Sequence, residues 1–311
     1  EGLALNNGAT FSAAIAALAV WEAEYLIEVA EIAAALSMEA LCARSIAFDD
    51  RIHQARNQPG QITTAEKIRD LVKGSTFLDS LAQVQDAYSI RCFPQIAGAV
   101  RDTLIFVKVV IEREINAATD NPLVFEPDEA ISGGNFHGEP VGLVCDYLSI
   151  ALSELGAVSE RRTYRLTDEK TNNGLPPMLV DNPQAAGINS GLMMPQYTAA
   201  SLVLENQTLA TPDSIRSLPT SAGQEDHNAN AMTAARHTYE IIENLRQILS
   251  IEIYTAIRAI ELRNRISEGK LGEGTKAVYE KIRKVVTYKE SDTLWGQEIL
   301  KINEMIKDQS L

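Results

Sequence analysis

An amide (Gln85), a phenol (Tyr88) and a guanidinium (Arg91) recur at three-residue spacing in the stretch from Gln85 to Gln95. On a helix that spacing brings all three to one face. A guanidinium beside an amide can hold a carboxylate through a forked pair of hydrogen bonds, and the neighbouring phenol is then free to move a proton. The same residues also fit a plainer reading, a helix terminus whose polar groups satisfy backbone atoms and one surface ion pair. Taken alone, the stretch favours the plainer reading.

Three more polar clusters fall near expected helix ends: Asn7, the stretch from Asn121 to Phe136, and Gln224-Glu225-Asp226-His227. Helix N-termini carry unpaired N–H groups and partial positive charge, so converging ends would favour an anion or developing negative charge. Taken singly, each cluster is better explained by capping its own helix. His137 and His227 lie near Glu139 and Asp226, but neither pair has metal-ligand spacing, and no metal or external cofactor is expected. His53 and His237 carry no motif and read as surface or cap residues. Glycine-rich nucleotide loops and nucleophile elbows are missing from the sequence.

The elements that must position these clusters are helices. Apolar residues recur on most turns of an alanine-rich stretch from Thr10 or Ser12 to about Ser45. Residues 51–64, with Pro59-Gly60, read as a loop, and a helix follows from Thr64. Pro94 opens a long helix that ends near Asp120-Asn121-Pro122. Leu123-Val124-Phe125 is extended, and Pro140 fits the first turn of a helix through Arg162. Further helices run from Gly191 to Leu209 and from the 218–228 loop to about Arg265. A glycine-rich joint, Glu268 to Gly274, precedes two shorter ones. The fold class is all-α, a long-helix bundle, with residues 1–265 as the bundle and 266–311 as helices packing on or beside it.

Of the 311 residues 45% are hydrophobic, enough for a substantial core, and the net charge of −14 argues against nucleic acid and anionic membrane surfaces as partners. No run reaches the roughly 20 uninterrupted apolar residues of a membrane span. Cys42, Cys92 and Cys145 are odd in number and widely spaced, which reads as reduced thiols of a cytoplasmic protein.

The order of the motifs is particular. Glu1-Gly2-Leu3-Ala4-Leu5 with Asn7-Gly8 is followed by Gln85-Asp86-x-Tyr88-Ser89-x-Arg91-Cys92-x-Pro94-Gln95 and Thr119-Asp120-Asn121-Pro122-Leu123. Then come Ser132-Gly133-Gly134-Asn135-Phe136-His137-x-Glu139-Pro140, Ser159-Glu160-Arg161-Arg162 and Thr220-Ser221-Ala222-x-Gln224-Glu225-Asp226-His227. In these pieces, over residues 1 to about 240, the chain resembles the aromatic amino acid ammonia-lyases and aminomutases, in their histidine branch. The resemblance implies the ammonia-lyase/fumarase-like helical bundle, a homotetramer with shared active sites, and a small amino acid as substrate. It implies elimination of ammonia from L-histidine to give trans-urocanate. A tyrosine or phenylalanine lyase or aminomutase of the same family, and a non-catalytic helical assembly fragment, are the alternatives.

The resemblance also implies a methylidene-imidazolone prosthetic group made from an internal Ala-Ser-Gly. That tripeptide does not occur in these 311 residues. The chain therefore reads as the part downstream of the prosthetic-group segment, expected to be inactive by itself. By the same resemblance Asn7 and Gln85 support the prosthetic group, and Tyr88 assists proton transfer beside the amine. Arg91 clamps the substrate carboxylate with help from Asn121, Phe136 packs beside the electrophile, and Glu225, next to Gln224, meets the imidazole. Ala87 stands where the histidine branch usually has proline, and Phe93 where glutamine is common.

Overall fold

The computed structural model describes residues 2, 6–185 and 187–311. Helices dominate it: α1 (Thr10–Ala40), α2 (Asp50–Arg56), α3 (Pro59–Leu71), α4 (Tyr88–Arg91), α5 (Phe93–Glu114), α6 (Glu139–Thr167), α7 (Met193–Leu209), α8 (Ala231–Ile266), α9 (Glu273–Arg283) and α10 (Trp295–Lys307). The expected all-α class holds. One small hairpin, β1 (Leu123–Phe125) with β2 (Glu129–Ile131), pairs Leu123 with Ile131 and Phe125 with Glu129.

The chain divides into two compact units. The first comprises Glu1–Glu24, Asp102–Ser153 and Glu205–Glu243; the second comprises Tyr25–Arg101, Glu154–Leu204 and Asn244–Leu311. In the first unit small residues let helices approach closely. A Cβ on Gly142 of α6 would lie 2.8 Å from the carbonyl of Ala229, and one on Gly138 would lie 2.9 Å from Cβ of Ala231. Asp146, buried on α6, accepts from the backbone N–H groups of Asp213 and Ser214 and from the Ser214 hydroxyl, so it ties down the turn after α7. Cys145 beside it is buried, and burial pushes its thiol up to about 12.

In the second unit α8 is the axis. Its residues from Ile248 to Ile260 are buried almost without interruption. The buried Arg258 guanidinium lies 5.2 Å from the Tyr288 ring centroid and 5.1 Å from that of Trp295, and it donates to the carbonyls of Leu179 and Lys289. That clasp holds the segment between α9 and α10 against α8. By length and composition α6 could cross a membrane, but 67% of its most apolar window is buried in the fold.

Three local expectations fail, each for a physical reason. Residues 51–64 are mostly helical rather than a loop. Asp49 caps α2 by accepting from the Arg51 N–H at 3.0 Å, and Pro59 is not a breaker but the first residue of α3, where its missing N–H costs nothing. The long helix α5 stops at Glu114, short of Asp120, because the chain tightens after Ile111 and Asn116 donates back to the Glu112 carbonyl. His53 is not on the surface: it is fully buried, with Nδ1 2.9 Å from the Gln61 amide.

Burial, aided by the nearby Arg69 charge, pulls the His53 pKa below the ordinary histidine value of 6.5. The unfolded chain therefore binds this proton more readily than the folded one. The contribution to stability is complete above the unfolded value and is lost as pH falls toward the folded one. Between about pH 7 and pH 5, urea unfolding should show wild type losing more stability than His53→Gln. Parallel losses in the two proteins would contradict this.

Candidate functional site

The polar loops of the first unit form one hydrogen-bonded chain. The Asn7 amide donates to Asp120 Oδ1 at 2.9 Å, and the same oxygen accepts from the Asn121 N–H at 2.8 Å. Asn121 Oδ1 then accepts from the Ser132 hydroxyl at 2.9 Å and from the Gly133 N–H at 2.7 Å. With its oxygen doubly used, the Asn121 side chain has only its NH₂ to offer a ligand. Gly8 makes this assembly possible: its φ is +68°, and a Cβ there would lie 2.7 Å from the Thr119 carbonyl and 3.5 Å from Phe136. Gly8, next to Asn7 in the chain, is thereby packed against Phe136, which is 40% exposed.

The second polar loop of this unit closes on itself. Thr220 and Glu225 pair through both backbone groups, and the Thr220 hydroxyl donates to Glu225 Oε2 at 2.8 Å. One carboxylate oxygen is so oriented. Gln224 is exposed beside it, its N–H donating to the Ser221 carbonyl. The loop is joined to the residue 133–138 stretch by His137, whose Nε2 lies 3.0 Å from the His227 carbonyl while the two rings stack at 6.0 Å. Since His137 Nδ1 accepts from the Glu139 N–H, Nε2 carries the proton in that bond. The first unit thus brings together Asn7, Asn121 and Phe136, and links them to the Glu225 loop.

The other three expected residues belong to the second unit, and there the spacing argument needs correcting. Gln85 is exposed and lies outside any helix; α4 begins only at Tyr88, after Ala87 at φ −64°, ψ 160°. Gln85 therefore does not share a helical face with Tyr88 and Arg91. Those two do share one. Arg91 lays its guanidinium 4.6 Å from the Tyr88 ring centroid, and its Nε donates to the Asp86 carbonyl at 2.8 Å. Asp86 is the anchor: its buried carboxylate accepts from the Arg44 N–H at 2.7 Å and from the Gln83 amide at 2.8 Å, and burial raises its pKa above the ordinary carboxylate value. Tyr88, 68% exposed, and Arg91 stand out from a turn whose base is fixed.

A phenol and a guanidinium on one rigid turn can receive a carboxylate and move a proton. Donor amides beside an aromatic ring can hold a small planar polar group. The chain matches the model of the family described as "Aromatic amino acid lyase" over residues 1–284. The chain belongs to the aromatic amino acid lyase family. Within the family it is 46% identical to a histidine ammonia-lyase of Chloroflexus aurantiacus over 98% of its own length, and 47% identical to one of Geobacillus kaustophilus over 96%. It spans 60% and 58% of those relatives' lengths. Among solved structures, histidine ammonia-lyase from Trypanosoma cruzi superposes with a TM-score of 0.90 at 37% identity, covering all of this chain and 58% of the other. Tyrosine aminomutase from Streptomyces globisporus gives 0.91 at 33% identity, covering 99% and 62%.

Sequence reasoning missed Asp120, which joins Asn7 to Asn121 in the first unit, and the buried pair Arg162–Glu252 in the second. Asp120 and Arg162 both lie inside motifs already quoted, where they read as spacers. Part of the opening motif, residues 1 and 3–5, falls outside the described residues. A cavity of about 810 Å³ near Met194, Ile251, Trp295 and Leu300 contains none of the expected site residues. No cluster of metal-ligating side chains occurs among the described residues.

Replacing Asn121 by Ala removes the acceptor of Ser132 and Gly133 together. Hydrogen exchange of the Gly133–Phe136 amides should speed up by about tenfold or more, the loss of at least one net hydrogen bond. Unchanged exchange there would mean the loop is held by something else.

Proposed function

We propose that the protein is a histidine ammonia-lyase, converting L-histidine to trans-urocanate and ammonia. The observation that carries the proposal is Glu225, a carboxylate oriented by Thr220 in an exposed loop. A carboxylate favours an imidazole N–H over a phenylalanine ring, because setting an ionised group against an apolar ring costs free energy. The 46–47% identity to histidine ammonia-lyases supports the same choice.

In this reading Arg91 clamps the substrate carboxylate, with the Asn121 NH₂ as a further donor. Tyr88 stands next to the clamp and moves the proton at the amine-bearing end. Gln85 supports the carboxylate and Gln224 lines the imbedded ring beside Glu225. The family's methylidene-imidazolone, when bound, supplies an electrophile that turns the amine into a leaving group. Its fit here rests on Asn7 and Phe136: a carboxamide steered by Asp120, one residue from the Gly8 that packs against a half-exposed aromatic side chain, suits a small planar group with polar edges. Preorganised N–H donors, already aimed by bonds to Asp120 and Asn121, stabilise charge without reorganising.

A homotetramer with shared active sites belongs to the proposal. It is supported by apolar side chains exposed in the first unit: Phe11, Leu18 and Trp21 on α1, Ile105 and Phe106 on α5, and Ile150 on α6.

The test is an assay of the whole enzyme on histidine, tyrosine and phenylalanine by near-ultraviolet absorbance of the product. Histidine should be the substrate; turnover of tyrosine or phenylalanine alone would overturn the assignment. Glu225→Gln should cut kcat/KM on histidine by at least about tenfold, since an acceptor becomes part donor, and full activity would show that Glu225 does not meet the ring. Arg91→Ala removes a charge-assisted fork worth roughly 1.5–3 kcal/mol, which is about 10- to 100-fold in kcat/KM. Wild-type KM and kcat in that variant would reject the clamp.

A further inference from the structure

Tyr88 and Arg91 sit on a helix of four residues, too short to hold its own shape. One turn leaves most of its carbonyls without intrahelical donors, and Pro94 has no N–H to offer the Ile90 carbonyl. In the middle of the turn the Ser89 carbonyl accepts from Nη1 of Arg162 at 3.2 Å. That guanidinium is fully buried and lies 4.7 Å from the ring centroid of Phe93, the first residue of α5. Its Nε and Nη2 fork onto the two oxygens of Glu252 on α8, at 2.5 and 2.8 Å. Glu252 also accepts the Ser37 hydroxyl of α1 at 2.7 Å and the Ser159 hydroxyl of α6 at 2.6 Å.

Stability does not explain such a pair, because two apolar residues of matching volume usually do as well. What apolar residues cannot do is extend a directed donor to a carbonyl. A guanidinium can, since its fork onto Glu252 leaves a third nitrogen to aim, and lysine has no comparable planar geometry. We propose that Arg162, locked by Glu252, is a positioning residue for the Tyr88–Arg91 turn: by holding the Ser89 carbonyl it fixes the orientation in which the phenol and the guanidinium meet the substrate. The proposal rests on the roles given above to Tyr88 and Arg91.

Arg162→Lys in the whole enzyme keeps a cation for Glu252 and loses the third arm. A matched Arg162→Met/Glu252→Leu variant removes both buried charges together and guards against simple unfolding. Two readouts apply: hydrogen exchange of the Ile90, Arg91 and Cys92 amides, and calorimetric affinity for trans-urocanate compared with histamine, which has the imidazole and no carboxylate. In both variants exchange should rise at least about tenfold, the loss of one charge-assisted hydrogen bond. Urocanate affinity should fall by a similar factor with histamine affinity unchanged. Wild-type exchange in these amides overturns the proposal whatever the substrate is. Equal loss for the two ligands overturns it too, since that is general loosening. If wild-type enzyme binds neither ligand, the histidine reading is what has failed, and the exchange result alone decides the positioning role.

Discussion

A carboxylate shut away from water dictates the local order of the second unit. Glu252 has no exposure, so each of its oxygens needs partners, and it draws them from α1 (Ser37) and α6 (Ser159, Arg162). An unpaired charge at that depth would cost far more than any one packing contact contributes. Three long helices are therefore held in register at one level, and the spare arm of Arg162 passes the constraint to the turn that bears Tyr88 and Arg91. Two other buried carboxylates act in the same way. Glu39 accepts from the Gly272 N–H at 2.7 Å where α9 begins, and Asp146 holds the turn after α7. Burial raises the Glu39 pKa, the expected cost of keeping a carboxyl group there.

The loops of the first unit are built on a different rule. Their residues are exposed, and their order comes from short hydrogen bonds running between neighbouring segments: Asn7 to Asp120, Asn121 to the residue 132–133 turn, Thr220 to Glu225, His137 to His227. Two of these bonds use one polar atom of a side chain and leave another for a ligand. Asn121 keeps its NH₂, and Glu225 keeps an oxygen. In the proposed lyase, that division of labour is what makes the donors and the acceptor ready before the substrate arrives.

The sequence showed the helices and the chemistry-bearing clusters, because apolar periodicity and residue type are local. What it missed depends on one backbone torsion or on contacts between residues far apart in the chain. Gln85, Tyr88 and Arg91 have helical spacing, but Ala87 is extended, so the helix begins at Tyr88, three residues after Gln85. Pro59 was ambiguous between breaker and first-turn residue, and burial of the α3 start against α5 decided it: a Cβ on Gly98 would come 2.3 Å from the Gln61 N. His53 carries no sequence signal for burial. The Arg162–Glu252 pair joins residues 90 apart in the chain, a distance at which no spacing rule operates. Asp120 was visible within its motif, but its role needs Asn7, which is 113 residues away.

In the proposed lyase the substrate has one orientation: carboxylate against Arg91, ring against Glu225. A structure of the whole enzyme with trans-urocanate bound would show it. The urocanate carboxylate should lie within hydrogen-bond distance of the Arg91 guanidinium and an imidazole nitrogen within the same distance of the Glu225 carboxylate. Urocanate bound the other way round, or bound away from both residues, would contradict it.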